Sequence, residues 1–107
     1  MDRKTLQLCR QVLETLEMVL SGEIDDDRLP ILHVVEVEPA PDSTRMLVTI
    51  SADIANTDFD PNEILMTLGE YADLLRMEVA AAIHRKKAPL LHFRFAPHAN
   101  LPLEFGD

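Results

Sequence analysis

With one cysteine in 107 residues, the chain cannot close an internal disulfide, so its stability has to come from packing. Cys9 falls on the apolar side of a helical pattern with Leu6, Leu13 and Leu16, where a thiol serves as a small buried hydrophobe and not as a nucleophile. Glycine is scarce too. Gly22, Gly69 and Gly106 hold no pair at the spacing of a phosphate-clamping Gly-x-x-Gly loop, and neither a P-loop nor a Gly-x-Ser-x-Gly turn occurs. Tryptophan is absent and aromatics make up 5% of the chain, which leaves little for stacking on nucleic-acid bases. No apolar run approaches the length of a bilayer span, and the first residues lack the apolar core of a signal peptide. The expected address is therefore cytoplasmic, without a membrane. His33, His84, His92 and His98 match no compact ligand spacing, and Asp25, Asp26 and Asp27 lack the glycine and closing glutamate of a calcium loop. No metal, cofactor or catalytic constellation is expected, and the chain is not read as an enzyme.

Positive charge is the other shortage, with ten Lys and Arg against 19 Asp and Glu and a net charge of −9. Half of those cations nevertheless fall between Arg76 and Phe95: Arg76, Arg85, Lys86, Lys87 and Arg94 stand there against the single acid Glu78. A strongly acidic chain that concentrates its bases in under a fifth of its length has a local use for them. At this length one domain is expected, over residues 1–96, followed by a flexible tail over 97–107 that is rich in proline and ends in acid.

Apolar residues at Leu6, Cys9, Leu13, Leu16 and Leu20, widened by Val12 and Val19, predict an amphipathic helix from about Arg3 to Leu20, stopped by Ser21-Gly22. Arg3 and Arg10 share one side of it. Ile31 to Glu38 and Arg45 to Ser51, separated by the Pro39–Asp42 turn, predict a β-hairpin. Asp60-Pro61-Asn62-Glu63 is a helix start, and Ile64, Leu65, Leu68, Ala72, Leu75, Val79 and Ile83 keep helical period beyond it. Pro89 then opens a strand from Leu90 to Phe95 that places Leu91, Phe93 and Phe95 on one face. The economical arrangement is α+β, with helices on one face of a three-stranded sheet.

In this order the chain resembles the ribosome-binding factor A family. The resemblance rests on Asp26-Asp27-Arg28-Leu29, where that family usually has Asp-Pro-Arg-Leu, on Val35-Glu36-Val37 with Pro41-Asp42, and on Arg76 to Phe93 with its basic pair and Pro89, Leu91 and Phe93. It covers most of the chain from Leu6 to Phe95. The resemblance implies a type II KH-like fold of order α-β-β-α-β with the second helix kinked. It also implies a non-catalytic monomer that binds 16S ribosomal RNA in the immature small (30S) subunit and assists its maturation and rRNA processing. In that family a kink marked by alanine stands where KH domains carry their glycine loop, and Ala80, Ala81 and Ala82 are the positions available for it.

The candidate RNA-binding set is Arg76, Arg85, Lys86, Lys87 and Arg94, with Arg3 and Arg10 on the first helix. Its bland counterpart is that Arg85, Lys86 and Lys87 merely decorate a helix C-terminus, where the dipole favours each cation by about 0.3–1 kcal/mol. A protein-interaction module that turns its acidic surface to a basic partner is the second functional reading. The placement of charge on the fold separates the two: a contiguous positive strip favours RNA and a scattered one favours a protein partner.

Overall fold

A computed structural model describes residues 2–52 and 59–96 as α1 (Arg3–Gly22), β1 (Leu32–Pro39), β2 (Arg45–Ala52), α2 (Pro61–Glu70), α3 (Ala72–Ala82) and β3 (Leu90–Phe95). The tail expected over 97–107 lies outside the described residues. Asp2 caps α1 by accepting a hydrogen bond from the Thr5 amide at 2.8 Å. The buried stripe of α1 is Leu8, Cys9, Val12, Thr15, Leu16, Val19 and Leu20. Leu6, expected inside, is 53% exposed. At about 100° per residue, Leu6 and Leu13 sit about 120° and 100° round the helix from fully buried Val12, at the margin of the packed face. The helix ends where Gly22 predicted, but without a left-handed glycine: the amides of Glu23 and Ile24 both reach back to the Val19 carbonyl.

β1 and β2 form the expected antiparallel hairpin, with a bulge at Val35 that the sequence pattern did not reveal. β3 lies on the other side of β2 and runs parallel to it. Rows of facing residues build the core: Val34, Ile50 and Phe95; Val37, Val48 and Phe93; Met46 and Leu91. The helices cover this face and bring Leu16, Ile64, Leu68, Leu75 and Val79 against it, all fully buried. The opposite face carries His33, Glu36, Glu38, Arg45, His92 and Arg94 to the surface.

The second half of the helical pattern is two helices, and the interruption falls at Tyr71 (φ −98°, ψ 8°), well before Ala80–Ala82. Asp60 caps α2 through the Asn62 amide, as its sequence predicts. Two features account for the break. Gly69 weakens the end of α2, since glycine costs about 1 kcal/mol relative to alanine in a helix. The Tyr71 hydroxyl then donates to Asp26 Oδ2 at 2.7 Å, which fixes the break against the loop after α1. Arg28 completes the grip, with its guanidinium on Asp26 at 2.8 Å and on Glu70 at 3.0 Å.

These contacts hold the Asp26 carboxyl well below the usual carboxylate range, first through the Arg28 side chain, then through the Tyr71 hydroxyl and the Arg28 amide. Because the folded state favours the ionised form, the stabilisation is complete above the unfolded carboxylate value of about 3.9 and is lost as pH falls through and below it. Urea midpoints measured from pH 7 to pH 3 are expected to fall less steeply for Asp26→Asn than for the parent chain, with the gap between the two curves narrowing toward the acid end.

Candidate nucleic-acid interface

α3 ends in a motif that the sequence did not announce. Ile83 closes the helix, His84 takes the left-handed conformation (φ 57°), and the amides of His84 and Arg85 return to the carbonyls of Ala81 (3.3 Å) and Ala80 (3.0 Å). Ala80, Ala81 and Ala82 are therefore the regular last residues of α3 and not the site of a kink. Alanine's high helix propensity agrees with that placement. No basic residue lies in the last turn of α3. Arg85, Lys86 and Lys87 follow the left-handed residue, exposed, on the loop that leads to buried Pro89. They are loop cations that lie beyond the last turn of α3.

Arg76, half-buried on α3, donates from Nη2 to the Ala88 carbonyl at 3.1 Å and so straps the helix to the start of β3. Parallel pairing sets Leu90 beside Arg45, and the Leu90 amide bonds the Thr44 carbonyl at 3.0 Å. The loop before β3 thus lies against the β1–β2 turn. Between them is a cleft of about 330 Å³ lined by Ser43, Thr44, Arg76, Lys87 and Leu90, among others. The first turn of α1 joins the same end of the molecule, because Asp2 and Thr5 share a shallow groove with Pro39, Pro41, Asp42 and Ser43.

The ion pairs sort the cations. Arg10 pairs with Glu14 along α1, Arg28 with Asp26 and Glu70, and Arg94 with Glu38 at 3.8 Å while donating to Thr49 Oγ1 at 2.9 Å. Among the described residues Arg3, Lys4, Arg45, Arg76, Arg85, Lys86 and Lys87 form no ion pair. Arg76 and Lys87 meet at the cleft, Arg85 and Lys86 adjoin it along the chain, Arg45 is the register partner of Leu90 on the open face of the sheet, and Arg3 and Lys4 lie in the first turn of α1, which borders the neighbouring groove. Of the candidate set, Arg94 and Arg10 are engaged elsewhere. Arg45 and Lys4 were not singled out, and only knowledge of the parallel pairing would have found Arg45. Cys9 is buried, and that burial pushes its thiol up, as suits a packing residue. Among the described residues no group of three or more His, Cys, Asp or Glu is arranged to hold a metal.

Comparison with known proteins bears on what this end of the molecule does. No family model matches the chain. A curated protein named ribosome-binding factor A, from Solibacter usitatus, is 32% identical over 92 residues, covering 86% of this chain and 73% of its own length. This chain belongs to the ribosome-binding factor A family. The fold agrees: the crystal structure of ribosome-binding factor A from Thermus thermophilus superposes with a TM-score of 0.62 at 22% identity, covering 88% of this chain and 96% of that one. A homology model of the Thermus thermophilus protein, fitted into a cryo-EM map of a 30S–RbfA complex, gives 0.59 at 22% identity, covering 94% of this chain and 98% of that one. A Thermotoga maritima NMR structure gives 0.59 at 16% identity, covering 94% and 91% of the two chains. The family's Asp-x-Arg-Leu run has a physical role here, since Asp26 and Arg28 hold the helix break. The Pro-x-Leu-x-Phe run likewise supplies the buried Pro89 and the core-facing Leu91 and Phe93.

His84 occupies a backbone conformation that costs a non-glycine residue about 1 kcal/mol. His84→Gly is expected to raise the unfolding free energy by about that amount, read as a higher urea midpoint with an unchanged slope.

Proposed function

We propose that this protein binds 16S ribosomal RNA of the immature small ribosomal subunit through the end of the molecule built from the β1–β2 turn, the loop 83–89 and the start of α1. In this reading it acts in the cytoplasm as a monomer and assists subunit maturation and rRNA processing without catalysing a reaction. The observation that carries it is the gathering of unpaired cations around one cleft in a chain of net charge −9. A cation already matched to a carboxylate releases few counterions from RNA. An unmatched one contributes in full, with log affinity falling against log salt by about 0.7–0.9 per phosphate contacted. The fitting of a relative into a 30S–RbfA map supports the choice of partner.

One observation favours a second, protein-directed surface at the opposite end. There the Glu78 charge pushes the Glu23 carboxyl above its usual range, beside exposed Asp25 and Asp27. That end suits a basic partner and repels RNA.

Co-sedimentation with free small subunits tests the reading. Lys86→Glu with Lys87→Glu, both at exposed loop positions, is expected to abolish it while leaving the unfolding midpoint within about 0.5 kcal/mol of the parent. Parent binding is expected to weaken steeply from about 50 to about 200 mM salt. A folded double variant that still travels with small subunits would overturn the RNA reading in favour of the acidic surface.

A further inference from the structure

We propose that the cleft between the β1–β2 turn and the loop before β3 is a seat for a single phosphate group, with Arg76 and Lys87 supplying charge and the Ser43 hydroxyl a neutral donor. The proposal rests on the RNA reading and deepens it, naming the backbone phosphate as the group held there and Ser43 as a contact that no charge argument supplies.

Three observations converge on it. First, Arg76 is an unusual cation: half-buried, in no ion pair, with Nη2 spent on the Ala88 carbonyl and Nε buried without a partner. A partly buried guanidinium with no carboxylate beside it is costly when left alone, and an anion brought beside its remaining donors offsets part of that cost. Second, the cleft is concave and small, about 330 Å³, at the low end of the range for ligand sites, and it has an apolar floor at Pro89 and Leu90. An apolar wall excludes water and strengthens the attraction between a phosphate and the cations opposite it. Third, Asp2 and Asp42, the acids that share the adjoining groove with Ser43, are occupied within their own turns. Asp42 accepts from the Thr44 amide and hydroxyl within its own turn, which holds its carboxyl below the usual range, and it does not line the cleft. Arg76 is also fixed in place. Its strap to Ala88 orients the guanidinium before any ligand arrives, so little side-chain entropy remains to be lost on binding.

The test uses the full chain and inorganic phosphate as probe, at constant ionic strength against chloride. It reads the Arg76 Nε–Hε cross-peak and the amides of Ser43 and Thr44 in ¹H–¹⁵N spectra. Saturable shifts in these signals with phosphate and not with chloride are expected. Ser43→Asp, a turn substitution, is expected to weaken phosphate binding and small-subunit co-sedimentation by about tenfold or more, with the remaining spectrum unchanged. Equal shifts with both anions would overturn the proposal. So would normal small-subunit binding by Ser43→Asp alongside its loss in the Lys86→Glu, Lys87→Glu variant, a result that leaves the RNA reading standing. If the parent chain shows the phosphate-specific shifts but does not travel with small subunits, the seat is supported as a site for a small phosphorylated molecule, and the RNA reading alone fails.

Discussion

Parallel pairing of β3 with β2 is the constraint on which the functional end of this molecule depends. A parallel neighbour cannot be reached by a tight turn, so the chain must cross over through helix, and α2 and α3 provide the crossing. Both strands then start at the same end of the sheet. Arg45 comes beside Leu90, the turn that precedes Arg45 comes beside the loop that precedes Leu90, and Ser43 and Thr44 share one cleft with Arg76 and Lys87. Had β3 paired antiparallel, the loop 83–89 would sit beside Ala52 and Leu32, at the end where α1 delivers its acidic connection.

A crossing made by one straight helix from Pro61 to Ala82 would run about 33 Å, longer than the roughly 26 Å of an eight-residue strand. The break at Tyr71 lets α2 and α3 each pack on the core, through Ile64 and Leu68 on one and Leu75 and Val79 on the other. Exposed ion pairs are individually weak, and Arg28 is half-exposed. The grip works as a set, because Asp26 is nearly covered and receives Arg28 and Tyr71 together. The break is also acidic in its surroundings, with Asp26, Glu70 and Asp73 at or beside it. A KH loop clamps phosphates through bare backbone, and an acidic break of this kind is a poor phosphate clamp. The RNA reading accordingly belongs to the other end of α3.

What the sequence revealed and what it hid follow from the range of the interactions involved. The apolar stripe of the first helix from about Arg3, the helix start at Asp60, the hairpin, and the inward alternation of Leu91, Phe93 and Phe95 are local patterns and were legible. The helix break was placed wrongly because it depends on a hydrogen bond between residues 45 positions apart, Tyr71 to Asp26, while the periodicity of apolar residues runs straight through it. A family resemblance then attached the kink to the conspicuous alanines, where intrinsic propensity argues for regular helix. The cationic segment was visible by composition, but its membership was not. Arg94 sits within the segment and is engaged by Glu38 and Thr49 across the sheet, whereas Arg76 is tied to the Ala88 carbonyl at the cleft.

The acidity of the chain looks at first like an argument against RNA, and the arrangement of pairs reverses it. Net charge counts every residue equally, but a bound phosphate feels charges within a Debye length, about 8 Å at physiological ionic strength. α1 alone, 20 residues and about 30 Å long, separates the first turn beside the cleft from Glu23 and the aspartates that follow. The cations that the fold needs for itself, Arg28 above all, are placed among them and neutralised there. The remaining ones stay unmatched at the far end. Under the proposed function, a molecule polarised in this way would present its cationic end to a polyanion and be turned by that polyanion's field so that the other end faces away. Non-specific association with RNA through the rest of the surface is suppressed by the same acids, so the negative total charge restricts where this protein binds without preventing it from binding.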